Sequence, residues 1–349
     1  MSEKIVKFGK SSAGLLEIKK SFFEQNDRFL QYQRSLGEIY TAQPRRTMCM
    51  CCAGTIEGRS FAKQGIDYVI CPRCTHLNGV HEDTDAFASA VYTGAGVAEY
   101  GELFYSAQDR AAYDQRKQTI YAPKVEFLLS SLAVLGEAPD RLRYCDFGAG
   151  SGYMVGALSD GGVDAFGYEV SDAQILYGNA MLGRDALRPL TIAESEGVAS
   201  TVDCDVLILI GVLEHLRRPR ELLRFLTANQ RVRYLMISVP LYSPTVFFEM
   251  IFSEVMQRQL SGGHTHLYTP SSLDWMAAEF ALEPVAEWWF GTDLVDLYRS
   301  LLVELRRTPA TEQMTTAWAT MFGPMIDELQ LVLDRRQQSS EVHIIYRVH

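Results

Sequence analysis

Basic residues are in deficit in this chain. Its 349 residues carry 33 Lys and Arg against 43 Asp and Glu, a formal charge of −10. Binding to nucleic acid needs clustered cations that neutralise phosphates, so this balance argues against a nucleic-acid substrate. The one visible basic cluster in the second half, Arg217, Arg218 and Arg220, opens a helix and reads as a solvated face. Long apolar runs are also missing. The most apolar stretch, 234–252, is interrupted by Pro240 and Pro244 and carries Glu249, which excludes a membrane span and leaves a strand followed by a helix over 243–260. The opening Met-Ser-Glu-Lys-Ile-Val-Lys has no apolar core of signal-peptide length, so a cytoplasmic protein is expected. Internal repeats and low-complexity runs are absent. The remaining composition, 47% hydrophobic and 22% charged, is that of a globular chain long enough for one large domain and a smaller one.

Two nucleotide-binding patterns are absent as well. Residues 141–152, Arg-Leu-Arg-Tyr-Cys-Asp-Phe-Gly-Ala-Gly-Ser-Gly, place glycines at 148, 150 and 152, but the position three after Gly150 is Tyr153, which breaks the dinucleotide fingerprint. No lysine follows Gly152, which excludes a phosphate loop. What is present is a strand ending at Asp146, a bare loop that lets a ligand approach the backbone, and a helix from Tyr153 whose N-terminus faces the same ligand. Further on, Asp164–Val170 reads as a second strand. Its Glu169, about 20 residues past the loop, is placed to accept both hydroxyls of a ribose. Then comes Asp205-Val-Leu-Ile-Leu-Ile-Gly-Val-Leu-Glu-His-Leu216, with Pro219 opening the next helix.

These three segments, in this order over residues 146–216, resemble the class I S-adenosylmethionine-dependent methyltransferases. In that family an acidic residue two before the first glycine precedes Gly-x-Gly-x-Gly, as Asp146, Gly148, Gly150 and Gly152 do here. The resemblance implies S-adenosyl-L-methionine as cofactor, held by Asp146, Phe147, Gly148, Ala149, Gly150, Gly152 and Glu169. Gly211 and Val212, with the rest of the Val-Leu-Glu-His tail that ends the third segment at His215, would line its methionine end.

Seven cysteines are present, and four have metal-site spacing: Cys49-x-x-Cys52 and Cys71-x-x-Cys74 flank 18 residues. Each pair can offer two thiolates to one tetrahedral zinc, and with all four positions sulfur such a site is structural. A cytoplasmic setting disfavours disulfides, and a redox dithiol needs a single pair in a strand–helix setting. Cys51 competes with Cys49 or Cys52 as a ligand. Cys145 and Cys204 read as small buried hydrophobes.

The expected organisation is an N-terminal amphipathic helix over 1–40, a zinc ribbon over 41–80, a tyrosine-rich helical cover over 81–135 and a cofactor-binding domain over 136–349. In the first unit Leu15, Phe22, Phe29 and Leu36 form one heptad row, and Ile18, Gln25, Tyr32 and Ile39 the other. That seam suits either a homodimer or a helix packed on its own chain. The cover carries Tyr92, Tyr100, Tyr105, Tyr113 and Tyr121. From 141 to 240 strands and helices alternate, with a short strand expected at 190–192, which specifies an α/β, doubly wound, mostly parallel sheet. Beyond it, helices over 293–307 and 311–336 precede a final strand at 341–347.

Methyl transfer needs an acceptor atom held in line with the methyl group, water excluded and, for a hydroxyl, one proton removed. Neutral histidine suits that last task. His266, His264 and His215 fall on loops at the expected pocket mouth, with His266 favoured because Gly262 and Gly263 free its loop. Asp293 is a weaker candidate for orienting substrate, and Trp288 and Trp289 are candidates for stacking on a sugar ring. The layout of zinc ribbon, tyrosine-rich cover and core resembles the deoxysugar methyltransferases that act on nucleotide-linked sugars. Carbon-methylating members carry Tyr-x-Glu-His, where this chain has Gly263-His264-Thr265-His266, and they have a large C-terminal second domain. Methylation of a hydroxyl on a sugar, nucleotide-sugar or glycan intermediate is therefore expected. The alternatives are a carbon-methylating sugar enzyme, an RNA methyltransferase reading RNA through the ribbon, and a non-catalytic cofactor-binding protein.

Overall fold

The structure is a computed structural model that describes residues 4–18, 24–92, 109–261 and 263–349. Twelve strands are described: β1 (Ile5–Phe8), β2 (Phe61–Lys63), β3 (Ile66–Ile70), β4 (Leu77–Gly79), β5 (Arg143–Phe147), β6 (Asp164–Glu169), β7 (Leu187–Pro189), β8 (Val206–Ile210), β9 (Tyr234–Pro240), β10 (His266–Leu267), β11 (Leu282–Phe290) and β12 (Glu341–Val348). Eight of them form one sheet in the order β1-β11-β12-β9-β8-β5-β6-β7. Strands β5 to β9 run parallel, and β12 inserts antiparallel between β9 and β11.

The centre of this sheet is legible in its composition. Val206, Leu207, Ile208 and Leu209 are all fully buried, as a parallel strand covered by helices on both faces requires. Each such side chain contributes about 1.5–3 kcal/mol through burial. The chain leaves β5 toward β6 and β7 on one side and returns to β8 and β9 on the other. The crevice beyond the carboxyl ends of β5 and β8 is thus the switch point at which ligands bind in such sheets.

Several expectations are corrected. The first forty residues are not one helix: β1 pairs in parallel with β11 at the sheet edge, and helices cover only Ala13–Ile18 and Asn26–Thr41. Phe22 lies outside the described residues. The apolar face of the Asn26–Thr41 helix (Phe29, Tyr32, Leu36, Tyr40) packs on Ile66, Tyr68, Leu77, Met256 and Leu260 of its own chain, so that face is not free to pair with a second copy. The short strand after the second helix lies at Leu187–Pro189, three residues before its expected place, because Leu187 pairs with Gly167 and Asn179 clamps both Ala186 and Leu187. The helix expected over 243–260 ends at Ile251. There the Glu249 carboxylate turns inward, accepts from the backbone N–H groups of Arg258, Gln259 and Leu260, and pairs with Lys63. The stretch 311–336 is broken into Pro309–Glu312, Met314–Phe322 and Ile326–Arg335, interrupted at Gly323-Pro324.

The cysteine ribbon is not a separate lobe. Its strands continue as β2-β3-β4-β10, so the fourth strand comes from the loop after the fifth parallel strand, with His266 opposite Asn78 and Leu267 opposite Leu77. No described helix is long and apolar enough to cross a membrane.

Candidate functional site

At the end of β5 the chain turns through Gly148, Gly150 and Gly152, whose φ angles of 82°, 53° and 74° lie where side-chain-bearing residues are strained. A Cβ on Gly148 would also stand 2.7 Å from Val212 Cγ2, so the loop after β5 touches the loop after β8. The N–H groups of Gly148 and Ala149 both donate to the Tyr168 carbonyl, 2.8 and 2.9 Å away. Phe147 and Ala149 bury their side chains, leaving only backbone at the crest.

Glu169, 7% exposed, accepts from the backbone N–H groups of Gly150 at 2.7 Å, Val170 at 2.8 Å and Ser171 at 2.9 Å. A bare loop facing a carboxylate can hold a nucleoside by its ribose diol. Asp146 lies beside it, buried. Burial, then repulsion from Glu169, pushes the Asp146 carboxyl up to about 7 against the pull of Lys124. Glu214, just past Gly211 and Val212, is also buried, and that burial pushes its carboxyl up to about 8.

The three candidate histidines come together beside the turn that follows β8. The His215 and His264 rings are 4.9 Å apart. His264 shares a 3.2 Å hydrogen bond between Nδ1 and the Gln259 carbonyl. His266 is fully buried, and its Nδ1 lies 2.9 Å from Nε2 of His76, whose own Nδ1 lies 3.4 Å from Ser272 Oγ. Burial depresses all three candidates, holding His215 at about 3, so each imidazole is neutral at pH 7. His76 and Lys124 carry no motif in the sequence, and Glu214 enters it only as part of the Val-Leu-Glu-His tail. His76 sits two residues past Cys74 and Glu214 one before His215, but their proximity depends on long-range pairing.

Cys49, Cys52, Cys71 and Cys74 converge, with all four Sγ atoms within 4.8 Å of one another. Cys49 to Cys74 and Cys52 to Cys71 are each 3.6 Å. That is far beyond a disulfide and near the edge of about 3.8 Å that a tetrahedron with zinc–sulfur bonds of about 2.3 Å requires. The two knuckles are alike: Ala53 and Thr75 follow the second cysteine at φ 51° and 60°, and each donates back to the first cysteine's carbonyl at 2.9 Å. Cys51 Sγ instead donates to the Ser272 carbonyl at 3.2 Å, outside the quartet. The quartet's donor chemistry and spacing fit zinc.

This quartet is tied to the histidine loop. Gly79 N–H donates to the Thr265 carbonyl at 2.7 Å, the Thr265 hydroxyl donates to Asp83 at 2.7 Å, and Asp83 pairs with Arg46 at 2.5 Å. His266 is therefore positioned by the ribbon.

Other candidates fall elsewhere. Trp288 and Trp289 are buried in the sheet, their indole N–H groups donating to the Gly9 carbonyl and to Glu287, so neither can stack on a sugar. Asp293 is fully buried and accepts from Ser243, Thr245, Gln330 and Ser340, so it caps the helix at Pro244. Tyr113 and Tyr121 stack on Tyr153 at centroid distances of 4.4 and 5.3 Å, covering the helix that follows the glycine loop. Tyr100, Tyr105 and Gly262 lie outside the described residues, as does the side chain of Tyr92.

Residues 113–287 match the sequence model of the methyltransferase domain family. Solved structures with a similar chain course include the methyltransferase domain of bacterial CtHen1-CN (14% identity, TM-score 0.41, covering 64% of this chain and 97% of that one). Two more are the magnesium protoporphyrin IX methyltransferase from Synechocystis PCC 6803 with bound SAH (13%, 0.41, 57% and 90%) and a SAM-dependent methyltransferase from Archaeoglobus fulgidus (14%, 0.38, 69% and 100%). A search of curated protein sequences returns no match.

Proposed function

The chain belongs to the methyltransferase domain family, and from that premise we propose that it moves a methyl group from S-adenosyl-L-methionine to a hydroxyl of a sugar, nucleotide-sugar or glycan intermediate in the cytoplasm. The observation that supports this reading is the approach of the bare loop after β5 to Val212 in the loop after β8, whose next turn carries His215.

The cofactor supplies an electrophilic methyl group; the protein's tasks are to hold, orient and dry. Asp146 and the backbone of residues 147–152 would cradle the adenosyl end, on a loop whose path a Cβ at Gly148 would disturb by meeting Val212. Glu169 exchanges its backbone partners for the ribose hydroxyls. Gly211 and Val212 would flank the methionine end, and His215 stands three residues further on in the same turn. His266 Nε2 is closed to solvent in the free chain, so for it to take the acceptor's proton the loop that bears it would have to open toward the acceptor. With Nδ1–H donating to His76, that nitrogen keeps its lone pair, and no described residue bonds to it. A buried imidazole holds a proton weakly, so the acceptor oxygen must be acidified by something else in the site. Cys49, Cys52, Cys71 and Cys74 would hold a zinc ion that fixes the ribbon beside His266.

Methyl-labelled cofactor incubated with nucleotide-sugar pools tests the reading. One added methyl on a sugar hydroxyl, lost in His266→Ala, is expected. Label appearing in RNA, or on a sugar carbon, would replace this acceptor assignment, and unchanged turnover in the variant would remove His266 from the mechanism.

A further inference from the structure

Glu214, His215 and His264 form a set that none of the roles above needs all together. Their ligand atoms lie within 4.8 Å of one another, although they come from two segments. Glu214 and His215 sit in the short turn Leu213–His215 after β8, and His264 in the loop before β10. Two imidazoles and one carboxylate are the donors of open, catalytic zinc sites and of Mn2+ or Fe2+ sites with free coordination positions.

The surroundings are those of ligands rather than of packed side chains. The Nδ1 of His264 is engaged with the Gln259 carbonyl, and His215 is engaged with backbone at Gly263. A metal-binding histidine is usually oriented by a second bond of this kind, which leaves its other nitrogen as the donor. The carboxylate gives independent evidence. Glu214 is 5% exposed, yet no described residue donates to its Oε2. A buried carboxylate oxygen without a donor has lost its hydration with nothing in exchange, and a cation between it and the two imidazoles would remove that cost.

We infer that Glu214, His215 and His264 bind one divalent transition-metal ion, separate from the four-cysteine zinc. Its use in catalysis rests on the methyl-transfer reading, but its existence does not. An ion there lowers the proton affinity of a bound hydroxyl, which supplies the acidification that His266 alone cannot.

The test uses the zinc-loaded full chain titrated with Mn2+, which thiolates bind poorly, with free Mn2+ followed by electron paramagnetic resonance. One Mn2+ per chain is expected, weakened at least about tenfold in His264→Ala and Glu214→Gln. Zinc content and circular dichroism identify any variant that has not folded, and the half-buried His264 is the safer of the two. No uptake by the wild-type chain at millimolar Mn2+, or uptake equal in folded variants, overturns the site. Uptake lost in the variants supports it even if no sugar is methylated, in which case only the acceptor assignment falls.

Discussion

Glu169→Ala is the perturbation whose effect can be worked furthest. In the free chain the carboxylate is held by three backbone N–H groups at 2.7–2.9 Å. All three lie at the crest, where water can replace the lost acceptor, so the stability loss should stay near 1–2 kcal/mol. The effect on cofactor binding is larger. Two charge-assisted hydrogen bonds to a ribose diol are worth about 1.5 kcal/mol each at the low end, together about 3 kcal/mol, or about 150-fold in Kd. Glu169→Gln keeps one acceptor oxygen and should lose about tenfold. Equilibrium dialysis with labelled S-adenosylmethionine reads affinity, and the melting temperature reads the fold. An alanine variant that melts near the wild type but binds within threefold of it would refute the placement of the ribose on this carboxylate.

Three further perturbations follow from the same geometry. Gly148→Ala forces a Cβ to 2.7 Å from Val212 at φ 82°, and should cost about 2–5 kcal/mol in urea unfolding. Adding Val212→Ala should recover the contact but not the backbone strain, and a tolerated single variant would contradict the loop geometry. Cys71→Ser should release one zinc per chain by elemental analysis and abolish methyl transfer while cofactor affinity stays within a few-fold, because the ribbon places His266 and not the adenosyl cradle; retained activity would sink that coupling. Asp146, with its carboxyl pushed up to about 7, makes the native chain bind more protons than the unfolded one between about pH 4 and 7. Stability from this group therefore falls as pH rises through that window, by at most about 1.4 kcal/mol per pH unit. Subtracting the Asp146→Asn profile should isolate that slope, and identical profiles would contradict it.

What could be read from the sequence is what is local. The alternate glycines after Asp146, the apolar run at Val206–Ile210 and the paired Cys-x-x-Cys knuckles each specify their own geometry within a few residues. What could not be read depends on partners far along the chain. Ile5–Phe8 is too short to signal a strand, and its partner β11 lies about 280 residues away. The helix after Ser243 stops early only because Glu249 captures residues 258–260, which no helical pattern encodes. His76 meets His266, and Glu214 meets His264, through the pairing of β4 with β10 and the placement of the loop before it. The histidine candidates were visible as loop residues, but the carboxylate that makes two of them a possible metal set was not.

The most direct measurement is a calorimetric titration of the purified chain with S-adenosylhomocysteine. Saturable heat at one molecule per chain, diminished in Glu169→Ala, is the result expected of a cofactor site at this crest. A folded protein that gives no heat up to millimolar ligand would contradict it at its base.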